Sequence, residues 1–297
     1  MTAGQIHDLG YQRYVGSRRG VGTRWSVIMR HQIASAWRGW WRFKLWLIAA
    51  ALATAAAAAL LYLASGSLFR FLGGLSGQQI RFADGVLPLS TWLYCKVGFI
   101  VSLTTAATLV AGDVQSGAFT FYFARSVRPR DYVIGTLAGL CVLIAMIMLA
   151  GPVLLAGLRL GLSDNLDQVI ALLPIVAKAL AIGALGTLVY AAVPLGFSAL
   201  IANRRNAMAL WATYHVVVGW MAQGVAFVTT PEVGALDLSA ALNAVSLNLF
   251  DVHLRMTDQS IPTSAAVISI LGHAAAAIAV VSWRVRDAQR TGVGGSS

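Results

Sequence analysis

The sequence predicts an all-α membrane protein: six transmembrane helices preceded by an amphipathic interfacial (elbow) helix, with both termini cytoplasmic. Three observations carry this prediction: the composition, the length of the apolar runs and the placement of the basic residues. The 297 residues are 58% hydrophobic and 11% charged, less than half the roughly 25% charge usual in soluble domains. Mean hydropathy is +0.72. A water-soluble fold of this length cannot hide so much apolar surface, whereas bilayer lipid accepts it.

Six stretches reach the roughly 20 apolar residues needed to cross the hydrocarbon core. They are Leu45–Gly66, Leu89–Ala111, Tyr132–Leu158, Ile170–Ala202, Ala207–Val228 and Thr263–Trp283. The fourth is longer than a crossing requires and contains Pro174 and Pro194, so tilt or a kink is expected. The chain thus divides into a cytoplasmic N-terminal segment 1–44, a six-helix domain 45–283 and a cytoplasmic tail 284–297.

Orientation follows the positive-inside bias. With the N-terminus inside, 16 of the 22 Lys and Arg residues fall on the cytoplasmic side, and 7 of the 11 acids fall outside or near the outer face. The longest outer connection, 229–262, is too short for a soluble domain. One short helix is expected there, Ser239–Phe250, with Asp237 or Ser239 as its cap.

The net charge of +11 does not point to nucleic acid. The basic residues sit just outside apolar runs, and no basic stripe is interleaved with stacking aromatics on a soluble face. Cys95 and Cys141 lie inside apolar runs and read as small buried hydrophobes, neither a disulfide nor a metal pair. The first apolar run follows a long basic segment without a cleavage site, so no secretory signal is expected. Arg outnumbers Lys 19 to 3 and Ala is abundant, which suggests a GC-rich bacterial genome.

Arg24–Phe43 is amphipathic. Trp25, Met29, Ile33, Trp37 and Trp40/Trp41 recur at helical spacing, while Arg24, Arg30, Arg38 and Arg42 supply charge. Such a helix is expected along the inner membrane surface, with its aromatic side in lipid. It serves either as a positive-inside anchor or as an elbow that transmits force from a cytoplasmic partner.

The loop between the second and third spans reads GDVQSGAFTFYFARSVRPRDYVIGT, Gly112–Thr136. Connecting loops are usually short and polar. This one contains the apolar-aromatic segment Ala118–Ala124, bounded by Asp113 and by Arg125, Arg128 and Arg130. Phe119, Tyr122 and Phe123 would offer a knob to a soluble protein, since aromatics and Arg dominate binding hot spots. The plainer reading is an interfacial helix dissolved among headgroups.

This loop resembles the first coupling loop of type-2 ABC-transporter permeases. In that pattern an acidic residue precedes a Ser-Gly, followed by an aliphatic-aromatic helix, an Arg-Pro and an Asp-Tyr leading into the third span. Asp113, Ser116, Gly117, Arg125, Asp131, Tyr132 and Gly135 match it. Ile6–Gly20 and the tight turn Asn203–Asn206 are similar to the corresponding segments of some members. The sequence departs from the pattern at Ser126, which follows Arg125 where a proline is usual, and at Thr136, where a Lys is common.

The resemblance implies the permease subunit of a bacterial ABC exporter in the cytoplasmic membrane, itself not an enzyme. A separate cytoplasmic ATPase subunit would bind the ATP and Mg, and this chain would hold no cofactor. The ATPase would dock on the coupling loop 112–131 and on a second contact, Asn203, Arg204 and Arg205. A second permease copy, identical or related, would complete a twelve-helix pore. The elbow helix, with Trp25, Arg30, Trp37 and Arg38, would move with it.

Two stripes are candidates for the pathway or the dimer face. The second span carries Thr91, Tyr94, Gly98, Ser102, Thr105, Thr108 and Gly112, and the fifth carries Ala212, His215, Gly219 and Gln223. Helix packing explains such stripes equally well. Lys96 and Lys178 lie within two turns of the outer ends of their spans. They either snorkel to the headgroups or face an outer cavity, where Asp251 or Asp258 could pair with them.

His215 and His273 have no second ligand at i+3 or i+4, so no metal site is expected. No phosphate-binding G-x-x-x-x-G-K-[ST] loop occurs, nor an intramembrane carboxylate for ion coupling. Two alternatives belong to other classes. One is a membrane anchor that passes force to an extracytoplasmic accessory protein without moving substrate, and the other is a secondary carrier that needs no ATPase.

Overall fold

The computed structural model describes residues 23–65, 79–124, 127–252 and 261–290, and among these every regular element is helical. Ile6–Gly20, Arg125 and Asp258 lie outside the described residues. Five helical stretches are long and apolar enough to cross a membrane: Trp40–Ala64, Gly85–Gln115, Pro129–Gly161, Leu166–Leu200 and Thr263–Arg290. The chain is a helical, multi-pass membrane protein.

Helix α1 (Arg24–Arg38) ends at the extended Gly39. It does not lie apart from the bundle, because Ile28 and Ala36 are buried and the helix packs along α6 (Pro129–Met148). Gly135 and Gly139, one turn apart on α6, allow this close approach. A Cβ at Gly135 would sit 2.5 Å from the Trp25 carbonyl oxygen, and one at Gly139 would sit 3.0 Å from Gln32 Cβ. Small residues four apart are a common way for membrane helices to touch.

A π-turn, Trp40–Lys44, leads into α2 (Leu45–Ser65), with Phe43 fully buried at the joint. Among its described residues helix α2 buries Ala50, Ala57, Leu61 and Ala64, and it packs on α3 and on the helix Ala150–Gly161, while Leu52, Leu60 and Leu63 face outward. Thr54 Oγ1 and Tyr94 Oη meet across that contact at 2.8 Å.

The second span is broken. Helix α3 (Gln79–Thr104) gives way to a turn at 105–108 before α4 (Leu109–Gln115). Thr105 Oγ1 donates to the Val101 carbonyl at 2.6 Å, and the Ala107 N–H reaches back five residues to Ser102 O at 2.9 Å. Back-bonding hydroxyls and an extra residue in the ladder are recognised causes of helix bending. Across the break, Ser198 Oγ accepts the Ala111 N–H at 3.0 Å.

After the short α5 (Ala118–Ala124), α6 and α7 (Ala150–Gly161) form the third span, jointed at Leu149. Pro152, which has no N–H to give Met148, accounts for the joint. Asn165 caps α8 (Leu166–Leu172) by accepting the Gln168 N–H at 2.9 Å. Pro174 then starts α9 (Pro174–Leu200).

Helix α9 is the hub of the bundle, touching α3, α4, α6 and α7 as well as the later helices. Gly183, Gly186 and Gly196 permit this. A Cβ at any of them would come within 2.6 Å of Leu149, Met148 or Ala277.

The fifth expected span corresponds to α10 (Arg204–Thr213), a π-turn Tyr214–Val218 and α11 (Gly219–Val228), of ten, five and ten residues. It does not join the five long apolar helices, because Tyr214, His215 and Gln223 dilute its hydropathy. A 3₁₀ turn, Pro231–Leu236, then packs on α11.

Helix α12 (Leu238–Leu249) is the short helix expected in the outer loop, with Asp237 as its cap. Asp237 Oδ1 accepts the N–H groups of Ser239 and Ala240 at 3.0 and 3.1 Å. The helix is not a surface element. Leu238, Leu242 and Val245 are buried among α3, α9 and the final helix α13 (Thr263–Arg290). Ser246 Oγ meets Thr91 Oγ1 at 3.0 Å inside this packing.

Candidate functional site

The corner between the second and third spans is built from α4, α5 and the start of α6. Helix α4 ends at Ser116, whose hydroxyl donates to the Gly112 carbonyl at 2.8 Å. Gly117 then turns the chain with a φ of +66°. The left-handed region favours glycine, which explains the Ser-Gly pair as a helix C-cap.

Helix α5 is held from beneath. Phe119 is fully buried, stacks on Phe123 at 5.7 Å and presents its ring to the edge of Tyr132 at 5.0 Å. Tyr122 lies 5.6 Å from Tyr132. Burial, and then the nearby Asp113 carboxylate, push the Tyr122 hydroxyl above its ordinary range. The outward aromatic is Phe121, 72% exposed. The expected knob is thus corrected: Phe119 is core, Tyr122 and Phe123 are half-buried, and Phe121 offers the surface.

Two hydrogen bonds tie the corner to the spans. Tyr132 Oη donates to Asp113 Oδ2 at 2.6 Å, linking the end of the second span to the start of the third. Asp131 is buried and accepts the Arg128 N–H at 3.2 Å, so its carboxylate initiates α6 and is not presented for docking. Arg128 and Arg130 are exposed.

The second expected contact lies against the first. Asn203 caps α10, accepting the Arg205 and Asn206 N–H groups at 2.9 and 3.3 Å. The Arg204 guanidinium lies over Gly112, where a Cβ would come within 2.2 Å of its Nε. Arg205 is exposed. The juxtaposition of α4 and α10 was not read from the sequence, although Gly112, the last small residue of the stripe, marks the place.

Helix α1 closes the same region. His31, Gln32, Ser35 and Arg42 face Thr104, Thr105, Thr108, Asp113, Tyr122 and Arg204 around a polar cavity of about 220 Å³. Of the other elbow residues, Trp25 is half-buried, while Arg30, Trp37 and Arg38 are exposed.

The two stripes turn inward within one chain. Ser102 accepts from Trp211 Nε1 at 3.0 Å, and His215 stacks on Phe99 at 4.2 Å. Gly219 makes room for Asp237, whose Cγ would lie 3.2 Å from a Cβ there. Gln223 donates to the Gly234 carbonyl at 2.9 Å. Of the stripe residues, Thr105 and Thr108 reach the cavity. Asp237, placed by sequence in an outer loop, therefore sits beside the fifth stretch.

Lys96 is exposed with its Nζ 5.2 Å from the centre of the Trp92 ring, and Lys178 Nζ lies 5.4 Å from that of Phe250. Among the described residues no three His, Cys, Asp or Glu side chains gather to hold a metal. Cys95 and Cys141 are free thiols.

Comparison with models of known protein families and with curated proteins finds no match. The geometry defines the chain's class: a multi-pass helical membrane protein with a braced corner between its second and third spans.

Proposed function

We propose that the chain is the permease subunit of an ABC transporter, moving substrate outward with ATP hydrolysed by a separate cytoplasmic subunit. The observation that carries this is the braced α4–α5–α6 corner with Phe121 at its tip. A connector with no partner has no need of an aromatic helix locked at both ends. A push on α5 would pass through the Asp113–Tyr132 hydrogen bond and the Phe119–Tyr132 contact into two spans together.

In this reading Arg204–Val228 also crosses, as the fifth of six spans in chain order. At 1.5 Å per residue it reaches roughly 37 Å, enough to cross a 30 Å hydrocarbon core. Both chain ends and the corner then lie on the cytoplasmic side, following the basic residues. The exposed Arg128, Arg130 and Arg205 offer charge for docking, and α1, docked on the third span, moves with it. A second copy completes the pore.

The test is Phe121→Asp, a change on an exposed face that leaves Phe119 and Tyr132 in place. With an ABC ATPase subunit co-expressed, the variant is expected to reach the membrane at the wild-type level and to lose co-purified ATPase. Retained ATPase binding with stimulated hydrolysis refutes the docking assignment. Sidedness is read with Phe121→Cys in a background lacking Cys95 and Cys141. Labelling of that thiol from outside intact cells by an impermeant reagent overturns the topology.

A further inference from the structure

We propose that the polar cavity between α1, the α3–α4 break, α6 and the start of α10 binds one phosphodiester monoanion bearing hydroxyl groups, the chemistry of a phosphatidylglycerol headgroup. The inference goes beyond the permease reading and holds whichever side of the membrane carries the corner.

Position is the first argument. The cavity is lined by the last turns of the second span, Thr104 to Asp113, and by Leu140 and Leu143 of the third, beside the π-turn that opens the first. Trp40 and Trp41 of that turn are 53% and 74% exposed. Exposed tryptophans at span ends sit at headgroup level.

Charge is the second. Arg42 and Arg204 both face the cavity, and neither forms an ion pair with a described residue. Asp113 is the carboxylate on the wall, already accepting from Tyr132. Two guanidiniums against one carboxylate leave one formal positive charge unmatched. A phosphodiester carries a single negative charge and balances it, whereas a phosphomonoester dianion overshoots.

Hydrogen bonding is the third. The threonine hydroxyls are already donating, Thr105 to Val101 O at 2.6 Å and Thr104 to Arg42 O at 3.2 Å. They cannot also donate to a phosphate, which is left to the two guanidiniums with Ser35 and Gln32. Their oxygens still accept, and so suit a headgroup with hydroxyls of its own. The volume of about 220 Å³ is enough for several waters. That is room for a headgroup, with the acyl chains outside.

Gly112 supplies the fourth. Because a Cβ there would come within 2.2 Å of Arg204 Nε, glycine allows the guanidinium to lie flat and reach the cavity. The Gly112→Ala variant therefore displaces the cation without removing it.

The experiment is native mass spectrometry of the full chain in detergent, titrated with dioleoylphosphatidylglycerol, dioleoylphosphatidylcholine or acyl-free glycerophosphoglycerol. Phosphatidylglycerol is expected to bind one per chain with at least tenfold preference over phosphatidylcholine. Arg42→Gln and Arg204→Gln should each weaken binding about tenfold, as loss of a charged hydrogen bond predicts. Gly112→Ala should match Arg204→Gln, and Lys178→Gln, away from the cavity, should bind as wild type. Competition by glycerophosphoglycerol assigns the site to free diesters as well, and its failure to compete assigns the site to lipid. Equal binding by wild type and the Arg42→Gln/Arg204→Gln double variant overturns the proposal, as does equal binding of the two lipids.

Discussion

The docking of α1 on α6 can be broken with one methyl group. In Gly135→Ala the new Cβ would lie 2.5 Å from the Trp25 carbonyl oxygen and 2.8 Å from Ile28 Cβ, where ordinary contact begins at 3.4 Å. Both neighbours resist, one being backbone and the other the stiff branch point of a buried Ile. Helix α1 must therefore withdraw by about 0.9 Å near Trp25, the shortfall between 3.4 and 2.5 Å. Overpacking of this kind costs about 1–3 kcal/mol. The face it disturbs holds Ile28, whose burial contributes about 1.5–3 kcal/mol, so the methyl can offset much of what holds α1 down.

Limited trypsin digestion reads the outcome at Arg30 and Arg38, both exposed on α1. Cleavage follows the population of the undocked state when opening is fast relative to cutting. A loss of 1–3 kcal/mol predicts cleavage about 5- to 150-fold faster. Gly139→Ala, whose nearest contact is Gln32 Cβ at 3.0 Å, should have a smaller effect. Gly272→Ala, with nothing within 4 Å, should have none. If Gly135→Ala is cut no faster than wild type, the glycine-mediated crossing does not hold α1.

Two further outcomes are expected. A double-mutant cycle on Asp113→Asn and Tyr132→Phe should show a coupling of about 1.5–3 kcal/mol in denaturant unfolding, the range for a hydrogen bond to a charged group; strict additivity refutes the link between the second and third spans. Trp211→Phe, which strips the buried Ser102 hydroxyl of its indole donor, should lower unfolding stability by about 1–3 kcal/mol, and the loss should shrink when Ser102 is already Ala.

Much of the helical layout was legible because apolar runs and capping residues are local signals. The first and last long helices begin at Leu45 and Thr263, where the hydropathy rises, and the outer-loop helix is capped by Asp237, one of its two expected caps. The break at Thr105–Thr108 was not legible as a break. The same threonines serve equally well as a packing stripe, and only the hydrogen-bond ladder separates the two. Helix α5 hid its orientation for a related reason, since Phe119, Phe121, Tyr122 and Phe123 cover every side of a seven-residue helix. The burial of α12 was illegible because two of its neighbours, α3 and α9, are distant in sequence.

That burial of α12 has a mechanical consequence. Leu238, Leu242 and Val245 fill the room between α3, α9 and α13, so a single copy carries its own stopper at this level. Withdrawing it into water would expose three large aliphatic side chains, costing roughly 5–9 kcal/mol. Thermal motion alone would then pull the stopper in fewer than about one molecule in several thousand. On the permease reading proposed above, a solute would have to travel along the chain's flank, with a neighbouring surface as the opposite wall.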